Sequence, residues 1–152
     1  MADVPEIAPD ELLLAIETGS KKVHELATGL SNRIQSFERW INTIPGRVET
    51  TLFLDALDGD GEWSFLIRLH RSGKRWIVSH GHWSPIFMDG EDPEWQPVTE
   101  ASIETKMAVV RALPKLLEKL AETQRDMAKQ IEAAQAEFDG FAQKFGIQGE
   151  GS

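Results

Sequence analysis

The chain has 152 residues, 41% hydrophobic and 27% charged, the size and composition of one globular domain with a real core rather than a disordered polymer. It contains no cysteine, which excludes disulfides, thiolate catalysis and cysteine-based zinc sites. Its 25 acidic residues against 16 basic ones give a formal net charge of -9, a poor balance for gripping nucleic acid by its phosphates.

The opening Met1-Ala2-Asp3-Val4-Pro5-Glu6 is acidic and lacks the basic start and apolar stretch of a secretory leader. No run approaches the length of a bilayer span, so the expectation is a soluble, cytoplasmic protein with no membrane partner. Pro9-Asp10-Glu11 opens a helix, since proline suits an early position and acids complement the positive end of the dipole. Ile16, Ser20, Val23, Ala27, Leu30, Ile34, Phe37, Ile41 and Ile44 then follow one another at alternating spacings of four and three, the period of a coiled-coil seam. Gly19 permits a bend, Pro45-Gly46 stops the pattern, and the helix is expected over 10–44.

Residues 48–83 read as a three-stranded antiparallel β-meander, with strands Glu49 to Leu57, Glu62 to Arg71 and Lys74 to Trp83 rich in β-branched, aromatic and leucine residues. Asp58-Gly59-Asp60-Gly61 and Ser72-Gly73 are the hairpin signals between them. Tight turns place Asp58 opposite Gly61 and Arg71 opposite Lys74. One face then collects Leu52, Leu54, Ala56, Trp63, Phe65, Ile67, Leu69, Trp76, Val78, His80 and His82, and this is the core face. The other collects Thr51, Phe53, Asp55, Ser64, Leu66, Arg68, His70, Arg75, Ile77 and Ser79.

Residues 84–99 form a proline-containing loop with the acids Asp89, Glu91, Asp92 and Glu94 and with Trp95. A second helix is expected over 100–146, capped by Thr99 or Ser102 and kinked or restarted at Pro114. Leu117, Leu120, Gln124, Met127, Ile131, Ala134, Phe138, Phe141 and Phe145 again alternate at three and four, and Gly146 closes the run. The glycine-rich 148–152 reads as a disordered tail after a single α+β domain over 1–147.

Element lengths do not match. Helices of some 30 residues reach roughly 45–50 Å at 1.5 Å per residue, whereas nine-residue strands reach roughly 30 Å. The overhanging seams therefore need burial, either against each other or against another chain. A homodimer or higher oligomer is the expected solution, with Ile34, Phe37, Ile131, Phe138, Phe141 and Phe145 on the interface.

Three further sets of residues are candidates for function. His80 and His82, on one face of a strand, have a spacing that a divalent metal can use, with Asp58 and Asp60 as carboxylate donors; the alternative is a core-facing pair beside ordinary turn chemistry. Arg68, His70, Arg71, Lys74 and Arg75 gather at the opposite hairpin, fit for an anion or for keeping a hairpin tip soluble. Phe53, Leu66 and Ile77 line up across the outer face, with Trp83 and Trp95 flanking the acidic loop, and make a possible partner surface.

No Gly-x-Ser-x-Gly elbow, Walker loop or His-Glu-x-x-His stands in the chain, so no enzyme and no cofactor is expected. The leading expectation is a non-enzymatic protein-interaction module: an adaptor, chaperone-like binder or small macromolecular inhibitor that works as a coiled-coil oligomer. Its alternatives are a small-ligand or metal binder using the acidic, His-containing sheet end, and an acidic mimic of nucleic acid from a mobile element. Partners are expected to be a second copy of the chain and another protein, with nucleic acid disfavoured by the charge.

Overall fold

The structure is a computed structural model that describes residues 8–54, 64–84 and 92–147. Several expectations fall outside the described residues: the Asp58–Gly61 turn with Asp58 and Asp60, Ala56 and Trp63 of the core face, Asp89 and Glu91, and the tail 148–152. The chain order is helix α1 (Pro9–Ile41), strands β1 (Thr50–Leu54), β2 (Ser64–Ser72), β3 (Arg75–Trp83) and β4 (Gln96–Pro97), a 3-10 turn (Val98–Glu100), and helix α2 (Ile103–Phe145). This is an α+β architecture, two long helices bracketing an antiparallel sheet of order β1-β2-β3-β4.

The fourth strand corrects the expectation of a plain loop over 84–99. Pro97 pairs with Ser79 and Gln96 with His80. A proline is tolerated here because β4 is the edge strand, where one side of the backbone has no ladder to serve. The β1–β2 register, with Leu54 opposite Phe65, is the one implied by Asp58 facing Gly61. The β2–β3 register differs from expectation: Ser72 pairs with Arg75 and Arg71 with Trp76, so Gly73 and Lys74 form the two-residue turn. Gly73 has φ +63° and Lys74 does not share the positive sign, the pattern of a type II′ hairpin with glycine first. The difference is two residues, which keeps every side chain on its assigned face.

Phe65, Ile67, Leu69 and Val78 from that face form the core with Ile34 and Ile41 of α1, Val98, and Val109, Ala112, Leu116 and Leu120 of α2. Leu52, Leu54 and Trp76 pack against its margin. Both helices lie on this side of the sheet. Helix α1 ends at Ile41 rather than 44. Helix α2 starts at Ile103, with Ser102 as the capping residue whose side chain accepts from the Thr105 amide; Thr99 sits in the 3-10 turn instead. Nor does α2 restart at Pro114. It runs unbroken because Val109 and Ala112 on one side and Leu116 and Leu120 on the other are anchored in one core. Exposed Pro114 leaves the Val110 carbonyl without its helical partner, a loss that water can cover.

Contacts between the helices fix their relative direction. Lys106 donates to the Ser31 hydroxyl at 2.9 Å, and beyond the end of α1 Gln124 donates to the Gly46 carbonyl at 3.0 Å. Residue number rises together along both, so α1 and α2 run parallel. An intramolecular antiparallel pair is thereby ruled out.

Candidate functional site

Parallel helices offset along their axis leave a free end at each extremity of the molecule. Residues 9–26 of α1 are all exposed, roughly 27 Å of helix. Residues 125–145 of α2 are exposed except for Ala142, roughly 32 Å. These two arms point away from each other, so neither can cover the other within one chain. The large apolar residues on them (Leu12, Leu13, Leu14, Ile16, Val23 and Leu26; Met127, Ile131, Phe138, Phe141, Phe145 and Ile147) are each 37–69% exposed. At on the order of 100 Å² apiece, that is roughly 600 Å² of apolar surface per arm, the top of the range a soluble monomer shows in one patch.

The arms differ from a simple two-stranded seam in width. On α2, Ala121, Ala128 and Ala142 lie directly beside the seam residues Leu120, Met127 and Phe141; on α1, Leu12 and Leu26 lie beside Leu13 and Ala27. Three apolar or small positions per heptad, interrupted on α2 by Gln135, make a stripe wider than a two-stranded seam. The three phenylalanines of α2 already touch along the helix, with ring centroids 6.2 Å apart for Phe138–Phe141 and 4.7 Å for Phe141–Phe145. Of the residues expected on the oligomer interface, Ile131, Phe138, Phe141 and Phe145 lie on this free face. Ile34 and Phe37 do not. Ile34 is enclosed in the chain's own core and Phe37 packs against it, because that half of α1 lies on the sheet.

The expected partner surface is partly assembled. Phe53, Leu66, Trp83 and Trp95 line one groove of about 390 Å³ on the outer face of the sheet, with Thr51, Arg68, Asp92 and Pro93. Phe53 meets Trp83 edge-on at 6.4 Å. Leu66, only 2% exposed, serves as its floor rather than as surface, whereas Phe53 is 62% exposed. Ile77 lies elsewhere, in a cleft of about 520 Å³ with Gln35, Glu38, Arg39 and Arg75. What carries the 93–95 segment across the sheet is Gly81. A Cβ there would stand 3.1 Å from Pro93 Cβ and 3.4 Å from the Glu94 carbonyl oxygen.

The basic residues do not form one anion site. Arg68 is bound to Glu49 at 2.7 Å and stacks on Trp95 at 5.3 Å. His70 shares a 2.7 Å hydrogen bond with Ser79. Burial and the nearby Arg68 charge hold its pKa below the ordinary value. Arg71 folds onto its own turn, donating to the Gly73 carbonyl, and Lys74 is exposed at the turn. Arg75 instead lines the Ile77 cleft.

His80 and His82 flank Phe65, with ring centroids 6.2 and 5.5 Å away, and line a cleft of about 430 Å³ with Glu94 and Gln96. Both ring nitrogens of His80 are buried without a hydrogen-bond partner. Burial, reinforced by His82, lowers its pKa and keeps the ring neutral. Among the described residues no three His, Cys, Asp or Glu side chains converge in a way that could hold a metal ion.

Two residues that composition and spacing did not single out protect the sheet. Glu38 accepts from the Val78 amide at 2.8 Å, and Asn42 both accepts from the Trp76 amide at 2.9 Å and donates to the Trp76 carbonyl at 2.8 Å. These β3 groups lie beyond the reach of the two-residue β4. Four apart, Glu38 in the last turn of α1 and Asn42 capping its C-terminus thus pair with β3 groups that β4 leaves open. Nothing in the sequence marks them off from the other polar residues of that stretch, Arg33, Gln35, Ser36 and Arg39.

Compared with known protein families, curated proteins and solved structures, the chain matches none. Among the described residues no helix is long and apolar enough to cross a membrane.

Proposed function

We propose that this chain is a non-enzymatic protein-interaction module of the cytoplasm, in which a small α+β body holds two helical arms that associate with other helices, first of all those of further copies. The observation that carries this reading is the pair of arms. Their wide apolar stripes extend in opposite directions, where no part of the same chain's described structure covers them. Two copies joined through one arm each would bury on the order of 1,000 Å² of apolar surface before any polar rim is added, which approaches a standard stable interface. Adaptor, chaperone-like binder and small inhibitor are all roles for such an assembly.

The test is mass in solution by light scattering and sedimentation at tens of micromolar. Wild type is expected at a multiple of 17.0 kDa. The double substitution Ile131→Glu and Phe138→Glu, on exposed positions, is expected to reduce that mass while helix content and core fluorescence stay unchanged. Wild type running as a bare monomer, with no helical partner retained on gentle purification, would overturn the proposal.

A second reading, a small ligand at the sheet end, has one observation in its favour. His80, whose two ring nitrogens are buried without a partner, borders a cleft it shares with His82, Glu94 and Gln96. Zinc titration by calorimetry decides it, since binding that vanishes in His82→Ala with folding intact would favour the ligand reading.

A further inference from the structure

The outer-face groove already contains one cation. The Arg68 guanidinium lies over the Trp95 ring at 5.3 Å, and the Glu49 carboxylate holds it there at 2.7 Å. An aromatic face attracts a cation through its quadrupole, and a carboxylate beside it orients the charge. The other half of the same groove repeats these ingredients without a cation. Phe53 and Trp83 stand edge-to-face at 6.4 Å, Phe53 is largely exposed, and Asp92 lines the same groove with no ion-pair partner among the described residues. The surrounding sequence adds a field of the same sign, since residues 48–98 carry 9 acids against 4 bases.

We infer that the groove between Phe53, Trp83 and Asp92 is a docking site for a basic side chain, an arginine or lysine flanked by apolar residues, presented by a partner protein. The inference deepens the interaction reading and rests on it by assigning a partner chemistry to a surface separate from the arms. Buried Leu66 supplies the apolar floor, Phe53 and Trp83 receive the cation's face, and Asp92 receives its charge. Arg68 is the built-in occupant of the neighbouring position and neutralises Glu49, so an incoming cation is drawn to Asp92.

The probe is the capped tripeptide Leu-Arg-Leu, with Leu-Lys-Leu as the second cation and Leu-Gln-Leu as the neutral control. Each is titrated into the ¹⁵N-labelled full chain and followed by the Trp83 indole and the Thr51–Phe53 amide resonances. Saturable shifts are expected from both basic peptides and none from the neutral one. Asp92→Asn is expected to weaken binding roughly three- to tenfold. Arg68→Gln, which vacates the Trp95 face and frees the Glu49 carboxylate, is expected to strengthen it. Equal shifts from all three peptides, no shifts at all, or undiminished binding in Asp92→Asn would each overturn the inference. Repeating the titration on the Ile131→Glu, Phe138→Glu chain separates the two claims: groove binding there is expected to persist, and loss of oligomer mass with intact groove shifts leaves this inference standing alone.

Discussion

Glu38 offers the sharpest test of how the sheet edge is closed. It is 6% exposed, it sits on the last turns of α1, and its carboxylate accepts from the Val78 amide at 2.8 Å. Burial raises its pKa above the ordinary value, only partly offset by the Val78 hydrogen bond and the Arg75 charge. Removing the acceptor with Glu38→Ala leaves a buried N–H unpaired, a loss of about 1–3 kcal/mol. Glu38→Gln keeps an acceptor of nearly the same shape and removes the charge that burial disfavours. At pH 7 alanine is therefore expected to fall below glutamine by about 2 kcal/mol, or about 1 M in urea midpoint followed by tryptophan fluorescence. The pH dependence has a definite sign. A carboxyl whose folded pKa is raised contributes its full stability below the unfolded value of 4.5 and loses it as pH rises through the folded value. The glutamine variant lacks that loss, so its stability relative to wild type should improve as pH rises from 4.5 toward 7. Alanine and glutamine variants with equal midpoints, or parallel pH curves for glutamine and wild type, would refute the assignment of Glu38 as a strand-edge acceptor.

Other expectations follow from the same geometry. His80→Phe replaces two orphaned ring nitrogens beside Phe65 with carbon and should stabilise the chain by about 1–3 kcal/mol in urea melts. Because the folded pKa of His80 is lowered, wild-type stability is full above about 6.5 and falls as pH drops through the folded value, so the variant's advantage should widen between pH 7.5 and 5.5. Gly81→Ala places a methyl against Pro93 and should cost about 1–3 kcal/mol while making Trp95 more accessible to acrylamide quenching. Unchanged quenching would show that the 93–95 segment is not held by that close approach.

The sequence made the main architecture legible wherever a period and a turn agreed. Leu52, Leu54, Phe65, Ile67, Leu69 and Val78 alternate strictly, and the structure places every one in the core or against it. The β4 strand was not legible, because two residues beginning with glutamine and ending with proline carry no strand pattern. Their pairing depends on Gly81 admitting the 93–95 segment and on β3 having an edge to offer. Glu38 and Asn42 were missed for a related reason. A polar residue facing the core is distinguished from one facing water only when its partner is known, and Val78 and Trp76 lie 40 and 34 residues away. The basic cluster at the hairpin misled in the opposite sense. Neighbours in sequence, Arg68, Arg71 and Arg75 end on Glu49, on their own turn and in a separate cleft.

The direction of the arms follows from a parity that heptads cannot express. α1 runs antiparallel to β3, since Glu38 meets Val78 and Asn42, further along the helix, meets Trp76. β1 lies parallel to β3 through the intervening β2. Three long strands, an odd number, return the chain to the end of the sheet opposite the one where α1 stopped. β4 is too short to carry it back, so α2 must travel the sheet in the same sense as α1. A hairpin of two long strands would have delivered antiparallel helices able to zip their overhangs together within one molecule. With three, each overhang faces outward, uncovered by the rest of the described chain. Like-with-like pairing through one arm about a two-fold axis closes at two copies, whereas pairing through both arms, or α1 on the next molecule's α2 in one direction, continues into a ring or a filament. A mass that stops at twice 17.0 kDa as concentration rises therefore identifies a closed two-fold pair, and one that keeps growing identifies assembly in which both arms of each chain engage different neighbours.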